Sequence, residues 1–170
     1  MIANRTSYLP AETEDEQKLI AFAVGDVRYG IDIMSIREIV NPTEVIQIPA
    51  IATYVVGVTD HRNSVIPIVS LRDRFGLGKK ELDNRTKWIL VKIDDKEIGL
   101  QVDRVTQVIK VSKDQRRDKN ALMDDSDKPW IADVFADENG LVFEIDLHSV
   151  IGKAAMLPVS TNPEDFIRDE

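Results

Sequence analysis

Apolar residues fall in short clusters separated by polar turns. Residues 19–24 form a β-rich run that meets the polar pair Gly25-Asp26, and a second run follows over 27–31; residues 88–93, Asp94-Asp95 and 96–100 repeat this plan. Two such runs parted by two turn-forming residues predict a hairpin. Two further hairpins are predicted from 54–58 with 65–69 and from 131–135 with 141–145, each followed by a helical turn closed by a capping glycine, Gly76 or Gly152. Pro67 cannot donate to a ladder, so its place inside a run predicts an edge strand or a bulge.

One stretch departs from this regime. "YGIDIMSIREIV", residues 29–40, opens like a strand, but Ile33, Ile36 and Ile39 then recur at helical spacing, Asp32 is a natural N-cap and Asn41-Pro42 a natural stop. The pattern predicts a helix of about eight residues, well short of the ~12–15 at which isolated helices become marginal, so its stripe needs something to pack against, the protein's own core or a partner. The corresponding stretch "LQVDRVTQVIKV" mixes helical spacing with period-two alternation and reads equally as strand or helix.

The two stretches correspond because the chain is internally duplicated. Laid ungapped over residues 87–109, residues 18–40 pair Gly30 with Gly99, Ile33 with Val102, Ile36 with Val105 and Ile39 with Val108. Residues 54–76 over 130–152 pair Tyr54 with Trp130, Gly57 with Asp133, Leu71 with Leu147 and Gly76 with Gly152. The core is therefore two similar halves, about 18–82 and 83–152, each with four to five short strands, which suggests small barrels or sandwiches.

Composition adds limits. The chain has 170 residues, 43% of them hydrophobic, enough to bury a real core, and no cysteine, which excludes disulfides and thiolate metal sites. Its net charge of −8 sits largely at the ends: residues 1–17 carry −3 and residues 153–170 carry −2, and both are read as polar tails outside the folded core. The core itself is nearly balanced, with 19 basic and 22 acidic residues, and offers no footprint for nucleic acid. The local basic group of Arg72, Arg74, Lys79, Lys80, Arg85 and Lys87 reads as a solvated helix end and loop. The absence of a signal-peptide pattern and of long apolar runs points to a cytoplasmic protein without membrane insertion.

Catalytic chemistry needs a positioned nucleophile, a tuned acid or base, a metal or a phosphate-cradling loop, and no motif here has the spacing for one. "DDSD" at 124–127 lacks the central glycine and closing glutamate of a calcium loop. His61 is expected in a hairpin turn and His148 on the surface, while Trp88 and Trp130 read as core residues. No catalytic residue, metal site or cofactor is expected.

"FAVGDVRYGIDIMSIREI" followed by "YVVGVTDHRNSVIPIVSLRDRFG" resembles the CheW-type coupling proteins of bacterial chemotaxis, and the likeness runs from about Lys18 to Gly152. The resemblance implies a mainly β fold of two tandem five-stranded SH3-like barrels with short helical turns. It also implies a non-enzymatic adaptor bridging the regulatory domain of a CheA-type histidine kinase to the cytoplasmic tip of methyl-accepting chemoreceptors. A diverged CheW-like scaffold or regulatory module serving another output or partner set is the alternative. Partner contacts would come from Ile33, Ile36 and Ile39, opposed by Val102 and Val105, with Gly57 and the polar determinants Glu38 and Arg62 beside the groove between barrels. The family's glycine after that arginine is Asn63 here, a residue that tolerates a left-handed backbone. The chain resembles the stand-alone adaptor rather than the fused versions.

Overall fold

The structure, a computed structural model, describes residues 16–48, 52–123 and 128–155. The expected hairpins are all present: β1 (Glu16–Val24) with β2 (Val27–Asp32), β4 (Val55–His61) with β5 (Ser64–Ser70), β6 (Lys87–Ile93) with β7 (Lys96–Val102), and β10 (Ile131–Asp137) with β11 (Gly140–Ile145). The turns adopt the left-handed pairs that tight hairpins require: Asp94 and Asp95 lie at φ 49° and 67°, and Arg62 and Asn63 at φ 52° and 67°, a backbone that Asp and Asn tolerate better than Arg62 does. Asn63 thus fills the position expected of it. Short helices α1 (Leu71–Arg74) and α3 (Leu147–Ala155) follow the later hairpin of each half, and Gly76 and Gly152, at φ 76° and 72°, break them as predicted. A further short helix, α2 (Lys119–Leu122), lies in the second half.

The strands form two sheets. One has the order β8-β1-β2-β11-β10-β9 and the other β3-β6-β7-β5-β4, where β3 is Ile36–Val40, β8 is Arg104–Ser112 and β9 is Arg116–Arg117. The repeats do not map one to each sheet. The first hairpin of each half joins the later strands of the other, so the chain crosses between sheets from β2 to β3 and again from β7 to β8. Each exchanged hairpin pairs in parallel with its host, β2 with β11 and β7 with β5. At these seams sit the duplicated glycines. A Cβ on Gly30 would meet Leu19 Cδ1 at 3.0 Å and one on Gly99 would meet Ile68 Cδ1 at 2.5 Å.

Burial explains why β1 and β6 read as continuous apolar runs rather than alternating ones. In β1, Leu19 and Ala21 join a cluster inside the first sheet with Ile109, Val111, Phe135 and Val142, whereas Phe22 and Val24 enter a larger cluster shared by both sheets. In β6, Trp88 and Leu90 pack with Ile66 and Ile68 inside the second sheet, while Ile89, Val91 and Ile93 join the shared cluster. Both faces of each strand are therefore covered. The shared core joins the two sheets.

Two expectations need correction. Pro67 lies in β5, an interior strand between β7 and β4. It is tolerated because its antiparallel partner Val58 exchanges its backbone bonds with Ile46 instead (2.8 and 2.9 Å), and the parallel pairing to β7 begins only at Ile68. The amino-terminal boundary also moves. Glu16 and Gln17 belong to β1, and Gln17 is anchored by hydrogen bonds; the rest of that tail, most of the carboxy-terminal one and the "DDSD" segment lie outside the described residues.

The basic group is largely occupied by internal contacts. Arg72 pairs with Asp103 at 2.7 Å, and Arg74 donates to the Val150 and Ser149 carbonyls while stacking its guanidinium over Tyr54 and Trp130. No described helix is long and apolar enough to cross a membrane.

Candidate partner-binding face

The stripe of isoleucines marks the first crossing between sheets. Asp32 ends β2 and caps as expected, its Oδ1 accepting the Met34 N–H at 2.9 Å, but the helix it starts is one 3₁₀ turn, Ile33–Ser35. From Ile36 the chain is strand. Ile36 pairs with Val91, Glu38 with Leu90 and Ile39 with Ile89, so Arg37 is the extra residue of a β-bulge. That insertion puts Ile36 and Ile39 on one face of β3, opposite Glu38 and Val40, although they are three apart. The helical spacing in the sequence is thus the signature of one 3₁₀ turn followed by a bulged strand.

The second crossing resolves the stretch left open above as strand, with the same device. In β8, Val105 pairs with Phe22 and Gln107 with Ala21, leaving Thr106, the repeat counterpart of Arg37, as the bulge. Its hydroxyl donates to the Ala21 carbonyl at 3.0 Å. Val105 and Val108 thereby occupy the places of Ile36 and Ile39. Ile36 and Val105 are half-buried against the shared core, whereas Ile39 is 37% and Val108 53% exposed. Ile33 is half-buried in the turn.

Beside β3 lies a polar hub. Glu38 Oε2 accepts from the Arg62 guanidinium at 3.0 Å and its Oε1 lies 3.2 Å from His61 Nε2. The arginine is 75% exposed. A surface pair of this kind is worth at most about 1 kcal/mol, and Arg62 also sits in a left-handed conformation unfavourable to a non-glycine residue, so the arrangement orients Arg62 outward more than it stabilises the fold. His61, expected in the hairpin turn, ends β4 beside it and is the second partner of Glu38.

Two of the expected contact residues belong elsewhere. Val102 is 1% exposed, within the shared core at the end of β7, and offers nothing to a partner. Without a 3₁₀ turn at the second crossing, the residue aligned with Ile33 stays in the sheet. Gly57 is buried, and a Cβ there would lie 2.5 Å from Val45 Cγ1 and press on the Ile46 carbonyl. Its absent side chain lets segment 45–46 cross β4 and close the second sheet, where the Thr43 and Thr59 hydroxyls also meet at 3.1 Å.

The groove between the sheets, about 370 Å³, is lined by charged groups including Asp32, Lys92, Glu144 and His148 over an apolar floor that includes Ile31, Ile93 and Ile145, and none of the expected contact residues lines it. At its wall one amide serves two carboxylates: Gln17 Nε2 donates to Glu144 Oε2 at 2.8 Å and to Asp32 Oδ2 at 3.1 Å. Glu144 went unnoticed in the sequence, although the repeat aligns it with the core residue Ile68. Burial pushes its carboxyl above the ordinary glutamate range; Asp133 and Asp32 add to the rise, and Gln17 and Arg116 oppose it. Below the unfolded-state pKa both states hold the proton. As pH rises from there to the folded-state pKa the native state binds more protons than the unfolded one, so stability falls, and above that window the penalty is fully present. Glu144→Gln, which keeps the acceptor, is therefore expected to raise Tm at pH 7, with the gain shrinking toward about pH 4; thermal melts of both proteins at the two pH values check this.

Comparison with known proteins agrees with this architecture. The model of the CheW-like domain matches residues 18–155. The chemotaxis protein CheW of Treponema pallidum is 29% identical over 147 residues, 84% of this chain and 86% of the relative, and that of Rhizobium meliloti is 31% identical over 138 residues, 81% and 89% of the two chains. The crystal structure of the scaffolding protein TtCheW from Thermoanaerobacter tengcongensis superposes with a TM-score of 0.74 at 24% identity, covering 82% of this chain and 94% of that one, a likeness of fold. With its two sheets, its duplicated crossings and a family match spanning nearly all described residues, the chain belongs to the CheW family, whose model matches residues 18–155.

Proposed function

We propose that this chain is a cytoplasmic, non-enzymatic adaptor that couples the cytoplasmic tips of chemoreceptors to the regulatory domain of a CheA-type histidine kinase. The observation that carries the reading is the duplicated bulged crossing: each of the two places where the chain passes between sheets presents an apolar pair, Ile36 with Ile39 and Val105 with Val108, half-buried at one member and exposed at the other. Partly exposed apolar residues on rigid strands suit a protein partner. Ile33 extends the first pair, and Arg62, aimed by Glu38, supplies a charged rim. Rim charges tune association more than they hold a complex together.

The test is kinase autophosphorylation with and without receptor fragments. Added chain is expected to change kinase output only when receptor is present, because an adaptor changes geometry and not chemistry. Turnover by the chain alone, or no effect with both partners present, overturns the reading. Arg62→Ala is expected to weaken binding by about tenfold or less, the loss of one solvent-exposed polar contact, with Tm nearly unchanged; a binding titration and a melt check both halves of that statement.

A further inference from the structure

The most exposed of the large apolar side chains in the described residues belongs to none of the groups above. Met34 is 88% exposed, at the middle of the 3₁₀ turn, between Ile33 and Ser35, and its backbone is fixed by the Asp32 cap. The other described methionine, Met123, is half-buried against the shared core. A thioether held in solvent at the tip of an apolar turn can insert into a partner's apolar surface, since methionine is flexible and polarizable. It is also open to attack by hydroperoxides.

We propose that Met34 is a site of reversible oxidation that weakens the partner face, an inference that rests on the adaptor reading. The sulfur lone pair attacks one oxygen of hydrogen peroxide, an S–O bond forms as the O–O bond breaks, the proton on the transferred oxygen passes to the departing hydroxide, which leaves as water, and the sulfur is oxidised by two electrons to the sulfoxide while the peroxide is reduced. A methionine sulfoxide reductase reverses the change at the expense of a thiol reductant. The sulfoxide is a strong hydrogen-bond acceptor that must shed water when a partner covers it, so an apolar contact becomes a desolvation cost. The backbone of the turn does not depend on the side chain, so the fold is unaffected.

The experiment treats the full chain with limiting hydrogen peroxide, follows oxidation by peptide mass spectrometry, and titrates binding to a mixture of CheA-type kinase and chemoreceptor-tip fragment. Met34 is expected to oxidise well before Met123, binding to weaken at least tenfold with Tm unchanged, and reductase treatment to restore it. Met34→Leu, which has no sulfur to oxidise, is expected to bind with its own affinity unchanged by peroxide treatment. Equal binding by the reduced parent and by protein carrying the Met34 sulfoxide overturns the proposal while leaving the adaptor reading intact, as does an equal peroxide effect on Met34→Leu. Failure of the reduced parent to bind overturns the adaptor reading, and this proposal with it.

Discussion

Gly57→Ala is expected to lower Tm by about 10 °C. The added methyl would lie 2.5 Å from Val45 Cγ1 and against the Ile46 carbonyl oxygen, a backbone atom that moves only if segment 45–46 withdraws from β4. Withdrawal breaks the two backbone bonds between Ile46 and Val58 that close the second sheet. Overpacking of this kind costs about 1–3 kcal/mol, and the residue's φ of 150° adds a backbone penalty of about 1 kcal/mol. For a chain of this size each kcal/mol moves Tm by about 2–4 °C. Gly76→Ala is the control: its φ of 76° carries the same kind of backbone cost, but nothing lies within 4 Å of the new methyl, so a shift of only a few degrees is expected. Thermal denaturation of the two variants side by side checks the account; equal shifts would mean that sheet closure does not need the close approach at Gly57.

Ile36→Asp is expected to abolish measurable partner binding and to lower Tm as well. A carboxylate buried without a partner at the centre of an interface costs several kcal/mol, and about 3 kcal/mol is already more than a hundredfold in affinity. Ile36 also packs against the shared core, so the charge is partly buried even without a partner, and the variant cannot separate folding from binding. Ile39→Asp can. It lies on the same face of β3 with 37% of its surface exposed, and is expected to weaken binding at least tenfold while melting within a few degrees of the parent. If Ile39→Asp binds normally and only Ile36→Asp fails, the loss belongs to folding and the face lies elsewhere.

Much of this fold was legible because local chemistry decides it. The hairpin turns, the Asp32 cap and the glycine stops are written in residues whose backbone preferences leave few alternatives. Ile33, Ile36 and Ile39 misled because a bulge and a helix both space one face by three; only the pairing with β6 tells them apart. The duplication disclosed two similar halves but not which copy of a hairpin pairs with which sheet, since similarity carries no information about partners far along the chain. Val102 was misplaced for the same reason: its repeat mate Ile33 lies in a turn, whereas Val102 pairs with Lys87 in the sheet. On the candidate face, Arg62 and His61 both reach Glu38 only because β3 and the β4–β5 turn, at opposite edges of the sheet order, come together, which no local pattern announces.

The exchange of hairpins has a consequence for synthesis on the ribosome. The second sheet is one unbroken stretch of chain, β3 to β7, and can pair as it emerges. The first sheet cannot: β1 and β2 are made first, yet their outer neighbours β8 and β11 follow only after that whole stretch, roughly seventy residues or more later. At about 5–20 residues per second the nascent hairpin waits several seconds with Leu19, Phe22 and Val24 uncovered. During that interval it is the part of the protein most exposed to aggregation, and a chaperone that shields it would raise yield without touching the folded state.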